Sequence, residues 1–126
     1  MAMVENFRTF DVYNRSIDLS MAIKQATSSC KENLTEHEVG VINKNAVTIP
    51  NKIAAAISQV NMKVRFKKLN EAKSTLIQLQ TIMLELKKRK KIDEQMWQEV
   101  DDNSTEVMKL LNGYFKWISR RKSKTR

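Results

Sequence analysis

The chain has 126 residues, a formal net charge of +9 and one cysteine, and 41% of its residues are hydrophobic. This length fits one domain with a substantial core, and a lone cysteine excludes an intramolecular disulfide. Two glycines and one proline are too few for the many turns of a β-sandwich or an α/β fold. The composition therefore predicts an all-α protein built from long helices.

The first two helices are predicted from apolar periodicity and from one capping motif. The first is expected over about residues 10–30, and the second opens at Thr35, where Glu38 completes a capping box. Pro50 falls in the middle of the second helix. Because the apolar stripe keeps its phase from Ile49 to Ile53, the pattern predicts a kink at Pro50 and not a break.

The third helix is expected over about residues 64–88, and the fourth from Asp93 to about residue 121. Their predicted seams are Leu69, Ala72, Leu76, Leu79, Met83 and Leu86, and Met96, Val100, Asn103, Val107, Leu110, Tyr114 and Trp117. Short connections favour an antiparallel up-down-up-down four-helix bundle over residues 10–121. Residues 1–9 are then an N-terminal arm, and residues 122–126 a basic disordered tail.

Several apolar residues of the last two helices lie outside these seams. A monomeric bundle needs one stripe for each helix, so the surplus predicts a homo-oligomer interface. The residues assigned to it are Ile77, Leu84, Trp97, Leu111 and Ile118.

Positive charge is concentrated in three segments with few acidic residues. We assign nucleic-acid binding to Lys63, Arg65, Lys67, Lys68, Lys87, Lys88, Arg89, Lys90, Lys91, Arg120, Arg121, Lys122 and Lys124. Arg65, Lys67 and Lys68 crowd a helix start, where the helix dipole disfavours cations, so an anionic partner explains them better than folding does. RNA or another nucleic acid is the expected partner.

The residues that catalysis requires are not grouped in this sequence. His37 is the sole histidine and lies in the capping box, and there is no glycine-rich phosphate loop. Cys30 lies on an apolar stripe, as a small core residue would. We expect no enzymatic activity, no cofactor and no metal. We also expect a cytoplasmic protein, because the chain has neither a signal-like N-terminus nor a membrane-spanning apolar stretch.

Three motifs resemble a family of bacterial four-helix-bundle proteins. The segment Asn45-Ala46-Val47-Thr48-Ile49-Pro50-Asn51-Lys52-Ile53-Ala54 is similar to the family signature Ala-Val-Ser-Ile-Pro-x-x-Ile-Ala. The segment Phe7-Arg8-Thr9-Phe10-Asp11-Val12-Tyr13 resembles the family's aromatic N-terminal motif, and Leu110-Leu111-Asn112-Gly113-Tyr114 its late Leu-x-Gly-aromatic pattern. The family includes proteins encoded in intervening sequences of large-subunit rRNA genes, and accessory variability determinant proteins of diversity-generating retroelements.

The chain departs from the rRNA-encoded branch after Ile53-Ala54, where Ala55-Ala56 replace the usual Glu-Gly. Lys52 and the basic tail look more like the retroelement branch. That resemblance implies a basic homopentamer that binds a reverse transcriptase and its template RNA. The competing hypothesis is an rRNA intervening-sequence-type bundle that acts as a structural or protein-interaction module, whose charge only keeps it soluble.

Overall fold

The computed structural model describes residues 10–124 and the side chains of residues 10–120. The four helices are α1 (Asp11–Ser29), α2 (Glu36–Ile57), α3 (Met62–Lys88) and α4 (Glu94–Lys124), with a 3-10 turn at Lys31–Asn33. No strand occurs in this range, which confirms the all-α prediction. The predicted arm, residues 1–9, lies outside the described residues, and α4 continues three residues past its expected end.

Side-chain caps explain where three of the helices begin. The Thr35 hydroxyl accepts from the Glu38 backbone N–H at 3.1 Å, and the Glu38 carboxylate accepts from the Thr35 N–H at 2.9 Å. This is the predicted capping box. The Asn61 side-chain oxygen accepts from Lys63 N–H at 2.9 Å at the start of α3. The Asp93 carboxylate accepts from Met96 N–H at 2.8 Å at the start of α4.

Helix α2 continues through Pro50 as one element. Ile49, Pro50 and Ile53 are all buried, so the apolar stripe stays on one side of the helix across the proline. The proline therefore does not divide α2 into two helices. The kink itself stays a prediction.

The four helices share one core, in which α1 packs on α2 and α4, and α3 packs on α2 and α4. Contacts between α3 and α4 pair early residues of one helix with late residues of the other. Arg65 reaches Tyr114, and Gln80 reaches Ser104. The start of α3 therefore lies beside the end of α4. No described helix combines the length and the apolar surface that crossing a bilayer requires.

The core-facing stripe of α4 differs from the predicted seam. Its buried residues are Val100, Ser104, Val107, Leu111 and Ile118. Met96, Asn103 and Leu110, which the sequence assigned to the seam, are only partly buried. The core-facing stripe includes Ser104, which is 1% exposed and donates to the Asp101 carbonyl at 3.0 Å. Each register holds one polar residue, Asn103 in the predicted seam and Ser104 in the observed stripe, so the apolar pattern alone does not distinguish the two.

Candidate nucleic-acid interface

Arg65 lies inside the bundle and not on its surface. Its side chain is 3% exposed, and its Nε and Nη2 donate to the Gln59 carbonyl at 2.9 and 2.6 Å. Its Nη1 donates to the Tyr114 hydroxyl at 2.7 Å. The guanidinium thus ties the turn between α2 and α3 to the end of α4. The structure contradicts the placement of Arg65 among the nucleic-acid-binding residues, because its donors are already engaged in folding contacts.

Two of the predicted basic segments meet at one end of the bundle. Two contacts align the start of α3 with the end of α4. One is the Arg65–Tyr114 hydrogen bond, and the other is the Phe66–Phe115 ring contact, at 5.1 Å between centroids. Lys63 and Lys67 lie on the exposed side of α3, and Lys116 and Arg120 on that of α4. We call these four residues, Lys63, Lys67, Lys116 and Arg120, the basic end.

The basic end has few acidic residues around it. Residues 53–70 and 107–126 contain no Asp or Glu. Among the described side chains, none of the four cations lies within ion-pair distance of a carboxylate. The half-buried Lys68 lies near this end. The side chains of Arg121, Lys122 and Lys124 lie outside the described residues.

Helix α4 segregates its charge along its length. Residues 93–106 carry six acidic residues and no Lys or Arg, whereas residues 107–126 carry seven basic residues and no acidic one. Carboxylates near a helix N-terminus and cations near a C-terminus both interact favourably with the helix dipole. The arrangement therefore stabilises α4 and also leaves its last turns with a positive potential.

The third basic segment, residues 87–91, is partly neutralised at the opposite end of the bundle. Lys91 Nζ lies 2.9 Å from the Glu38 carboxylate, and Arg89 Nη1 lies 3.3 Å from it. These contacts join the α3–α4 connection to the start of α2. Glu38 thereby caps its own helix and also binds two cations of the predicted nucleic-acid set.

The Glu38 carboxyl group is held in its ionised form. The hydrogen bond from the Thr35 backbone N–H and the hydrogen bond from Lys91 lower the pKa of Glu38 from 4.5 to about 2. Burial opposes this shift, and the charges of Lys91 and Arg89 add to it. The carboxylate therefore keeps its two cationic partners throughout the physiological pH range.

Lys87 also contacts residues of α4, whereas Lys88 and Lys90 form no such ion pair within the described part of the chain. Its Nζ lies 3.8 Å from the centre of the Trp97 ring and 3.4 Å from the Glu94 carboxylate. Among the described side chains, Lys88 and Lys90 form no ion pair with a carboxylate. Most of the positive charge of residues 87–91 is thus offset by acidic neighbours, which distinguishes this segment from the basic end.

The residues assigned to a subunit interface separate into two groups. Ile77 and Leu84 lie on the outer side of α3 and are 48% and 41% exposed, and Trp97 is half-buried. Leu111 and Ile118 are fully buried in the core of the single chain. The structure contradicts their placement at an interface, because the true register of α4 turns both residues inward.

An apolar hollow of about 380 Å³ lies beside the basic end, between the start of α1 and the last turns of α4. Its walls include Phe10, Leu110, Gly113, Tyr114 and Trp117. Phe10 stacks on Tyr114 at 5.8 Å between ring centroids, and Trp117 meets Tyr114 edge to face at 5.5 Å. The sequence signal for this hollow is the aromatic run near Trp117, of which Tyr114 and Trp117 belong to the predicted seam.

Lys109 also lines the hollow and is not among the predicted site residues. Its spacing from Lys116 and Arg120, seven and eleven residues, places all three on one side of a helix. That periodicity was the signal that could have identified Lys109. Within the described residues, no group of three or more His, Cys, Asp or Glu side chains converges as a metal site would require.

These features define a small four-helix bundle with one cationic end. The family of 23S rRNA-intervening sequence proteins matches residues 8–113, most of the chain, and the protein therefore belongs to that family. The family resemblance drawn from the proline segment is thus confirmed. No curated protein matches the chain individually. The finer likeness to the retroelement branch is not tested by the family match.

Proposed function

We propose that this protein is a non-enzymatic, homo-oligomeric accessory protein that binds nucleic acid through its basic end. The observation that carries the proposal is the convergence of Lys63, Lys67, Lys116 and Arg120 on one end of the bundle, away from carboxylates. Exposed cations brought together without carboxylate partners raise the energy of the folded chain by mutual repulsion. A polyanion at this end removes that repulsion.

Binding at this end would proceed by release of condensed counterions from phosphates. Each lysine or arginine that contacts a phosphate lowers the slope of log affinity against log salt by about one unit. Phosphate contacts position a protein on nucleic acid without reading its sequence. We therefore expect tight binding at low salt, steep loss of affinity with added salt and little sequence preference.

The assembly that we propose is a cytoplasmic homopentamer of up-down-up-down bundles. The order in which the helices pack, each on two neighbours, supports the topology. The exposed Ile77 and Leu84 support a subunit contact, since together they place two large apolar side chains on the outer side of α3. The number five comes from the family resemblance. The proline-segment details favour a retroelement reverse transcriptase and its RNA as partners.

The test is a salt series of RNA affinities on two variants, one at each end of the bundle. The first carries Lys63→Gln, Lys67→Gln, Lys116→Gln and Arg120→Gln at the basic end. The second carries Lys88→Gln and Lys90→Gln at the opposite end, which removes two cations that form no ion pair with a described carboxylate. We expect the first variant to lose affinity about equally for all sequences and to flatten the salt slope by up to about four units. We expect the second to match the wild type.

One observation favours a second candidate function, a protein-interaction module without nucleic-acid binding. Four ion pairs at the opposite end join residues 87–91 to Glu38, Glu85 and Glu94, so those cations have a structural role. If the variant of the basic end binds RNA as the wild type does, with the same salt slope, this second function is the better one. A neighbouring reverse-transcriptase gene with a paired repeat would favour the retroelement role, and an rRNA operon the other branch.

A further inference from the structure

We propose that the hollow beside the basic end receives one unpaired nucleobase, so that the protein prefers single-stranded to duplex nucleic acid. This inference rests on the proposed function and adds the class of nucleic acid to it. It depends on two features that the basic end does not supply, an exposed aromatic ring and an open helix surface at a glycine. It also depends on a row of cations along one edge, where Lys109 extends the line of Lys116 and Arg120.

The aromatic ring is that of Trp117, which is 43% exposed at the edge of the hollow. Its plane stands at 88° to that of Tyr114, whose own plane lies within 15° of Phe10. A planar base stacked on Trp117 therefore stands perpendicular to the Phe10–Tyr114 pair, which closes the hollow on a second side. Stacking of bases on aromatic side chains is the usual contact of single-strand-binding proteins, because every base has a π-face.

Gly113 leaves the surface of the hollow open. A Cβ atom added there meets no atom of the described chain within 4 Å, so no close helix contact requires a glycine at this position. The residue lies within α4, where glycine is a poor helix former. We infer that the missing side chain makes room for a ligand, since any larger residue would project into the hollow.

The cations lie where the phosphates on either side of a bound base would pass. At about 100° per residue, Lys109, Lys116 and Arg120 fall within about 40° of one another around α4, and Gly113 falls next to them. Leu110 and Trp117 continue around the helix on the far side of Gly113. One edge of the hollow is thus cationic and the other aromatic, which matches the backbone and the base of a single strand.

Asp11 also lines the hollow. Its carboxylate repels a phosphate from the hollow itself, so among the described residues the cationic edge is the favourable path for the backbone. It can accept a hydrogen bond from the exocyclic amino group of a base. A duplex offers neither an unstacked base nor its Watson–Crick edge, and would bind through phosphate contacts alone.

The experiment compares the full chain's affinity for a labelled single-stranded RNA of about 20 nucleotides and for the duplex of the same sequence. We expect the single strand to bind roughly tenfold more tightly, the range that stacking of one base supplies. Gly113→Leu fills the hollow without changing charge. It should lower single-strand affinity to the duplex value and leave duplex affinity and the salt slope unchanged.

Gly40→Leu is the matched control. Gly40 is the other glycine, lies near the start of α2 and also has no atom within 4 Å of an added Cβ. Gly40→Leu gains the same helix propensity as Gly113→Leu, and it should not alter the affinity for single-stranded or duplex RNA. Trp97→Phe leaves Trp117 as the only tryptophan, and its fluorescence should be quenched by the single strand and not by the duplex.

The outcomes separate this inference from the function on which it rests. Equal affinity for the two RNAs, unchanged by Gly113→Leu, overturns the hollow as a base site and leaves the basic end as the interface. A changed sedimentation coefficient in Gly113→Leu, without loss of single-strand preference, assigns the hollow to a subunit contact and also overturns the inference. Salt-independent or undetectable RNA binding by the wild type overturns both.

Discussion

Arg65 donates a 2.7 Å hydrogen bond to the hydroxyl of Tyr114, forty-nine residues further along the chain. The same guanidinium holds the Gln59 carbonyl just beyond the end of α2, so a single side chain links α2, α3 and α4. Tyr114 in turn stacks on Phe10 at the start of α1. The packing at the end of the bundle that carries the exposed cations therefore depends on one buried cation, the guanidinium of Arg65.

This arrangement predicts that Arg65 contributes to stability and not to RNA binding. Arg65→Lys keeps the charge but cannot reproduce the fork of donors, and it should lower the free energy of unfolding by about 1–3 kcal/mol in a urea titration. Lys67→Gln, on the exposed side of the same helix turn, should change it by less than about 0.5 kcal/mol. A variant Arg65→Lys as stable as the wild type would contradict the assignment.

Stability should fall in acid through Glu38. Its pKa in the folded chain is about 2, against 4.5 for the ordinary group. A lowered pKa means that the folded state binds the proton more weakly than the unfolded state. The contribution is therefore complete above about pH 4.5 and is lost as the pH falls from about 4.5 to about 2.

Glu38→Gln isolates this effect. The variant should lose stability at neutral pH, because the amide does not pair with Lys91 or Arg89, and its stability should change less with pH between 5 and 2. Thermal unfolding at a series of pH values measures both. Glu36→Gln, an exposed carboxylate in the same helix turn, serves as the control. Parallel pH curves for wild type and Glu38→Gln would exclude Glu38 as the titrating group.

The elements that depend on neighbouring residues could be predicted from the sequence. The capping box at Thr35 and the N-cap at Asp93 are local, because each joins atoms three residues apart. The continuity of α2 through Pro50 followed from the unbroken phase of its apolar residues. These features need no knowledge of which helices pack together.

The role of Arg65 and the register of α4 could not be predicted in this way. Lys67 and Arg65 carry the same charge two residues apart, and only the packing of α4 on α3 decides which of them is buried. In α4, apolar residues fill two adjacent registers, and Ser104 occupies the one that faces the core. The basic end was identified only in fragments, because its cations are brought together by contacts between residues about fifty positions apart.

The loop between α3 and α4 contains a conformational weak point at Lys90. Its φ of 59° lies in the left-handed region, and Lys90 N–H and Lys91 N–H donate to the Lys87 and Leu86 carbonyls, as in a Schellman motif. Glycine is favoured at this position. Lys90→Gly should therefore raise the free energy of unfolding by about 1 kcal/mol.

Lys88→Gly removes the same charge as Lys90→Gly but should lower the free energy of unfolding. Lys88 lies in the last turn of α3, where glycine costs up to about 1 kcal/mol. Chemical denaturation of the two variants should therefore move their midpoints in opposite directions. RNA affinity should match the wild type in both, because neither lysine belongs to the basic end. If both variants lost RNA affinity, residues 87–91 would have to be counted as part of the nucleic-acid interface.

Self-association should depend on the outer side of α3. Ile77 and Leu84 are 48% and 41% exposed there, seven residues apart, so both project from one side of the helix. A double variant Ile77→Glu and Leu84→Glu should sediment as a monomer at tens of micromolar and keep the wild-type helical circular dichroism. Leu111→Glu should instead lose helical structure, because Leu111 is fully buried in the core of the single chain.

Met21→Glu is the control for added charge, since Met21 is a large exposed apolar residue on α1. The dissociated double variant should also bind RNA more weakly, because an oligomer presents several basic ends to one strand and gains affinity from their linkage. Its salt slope should become flatter, because fewer phosphates are contacted in each complex. If the double variant keeps the wild-type sedimentation coefficient, the outer side of α3 is not the subunit contact. If it dissociates and yet binds RNA as the wild type does, one basic end is sufficient for binding.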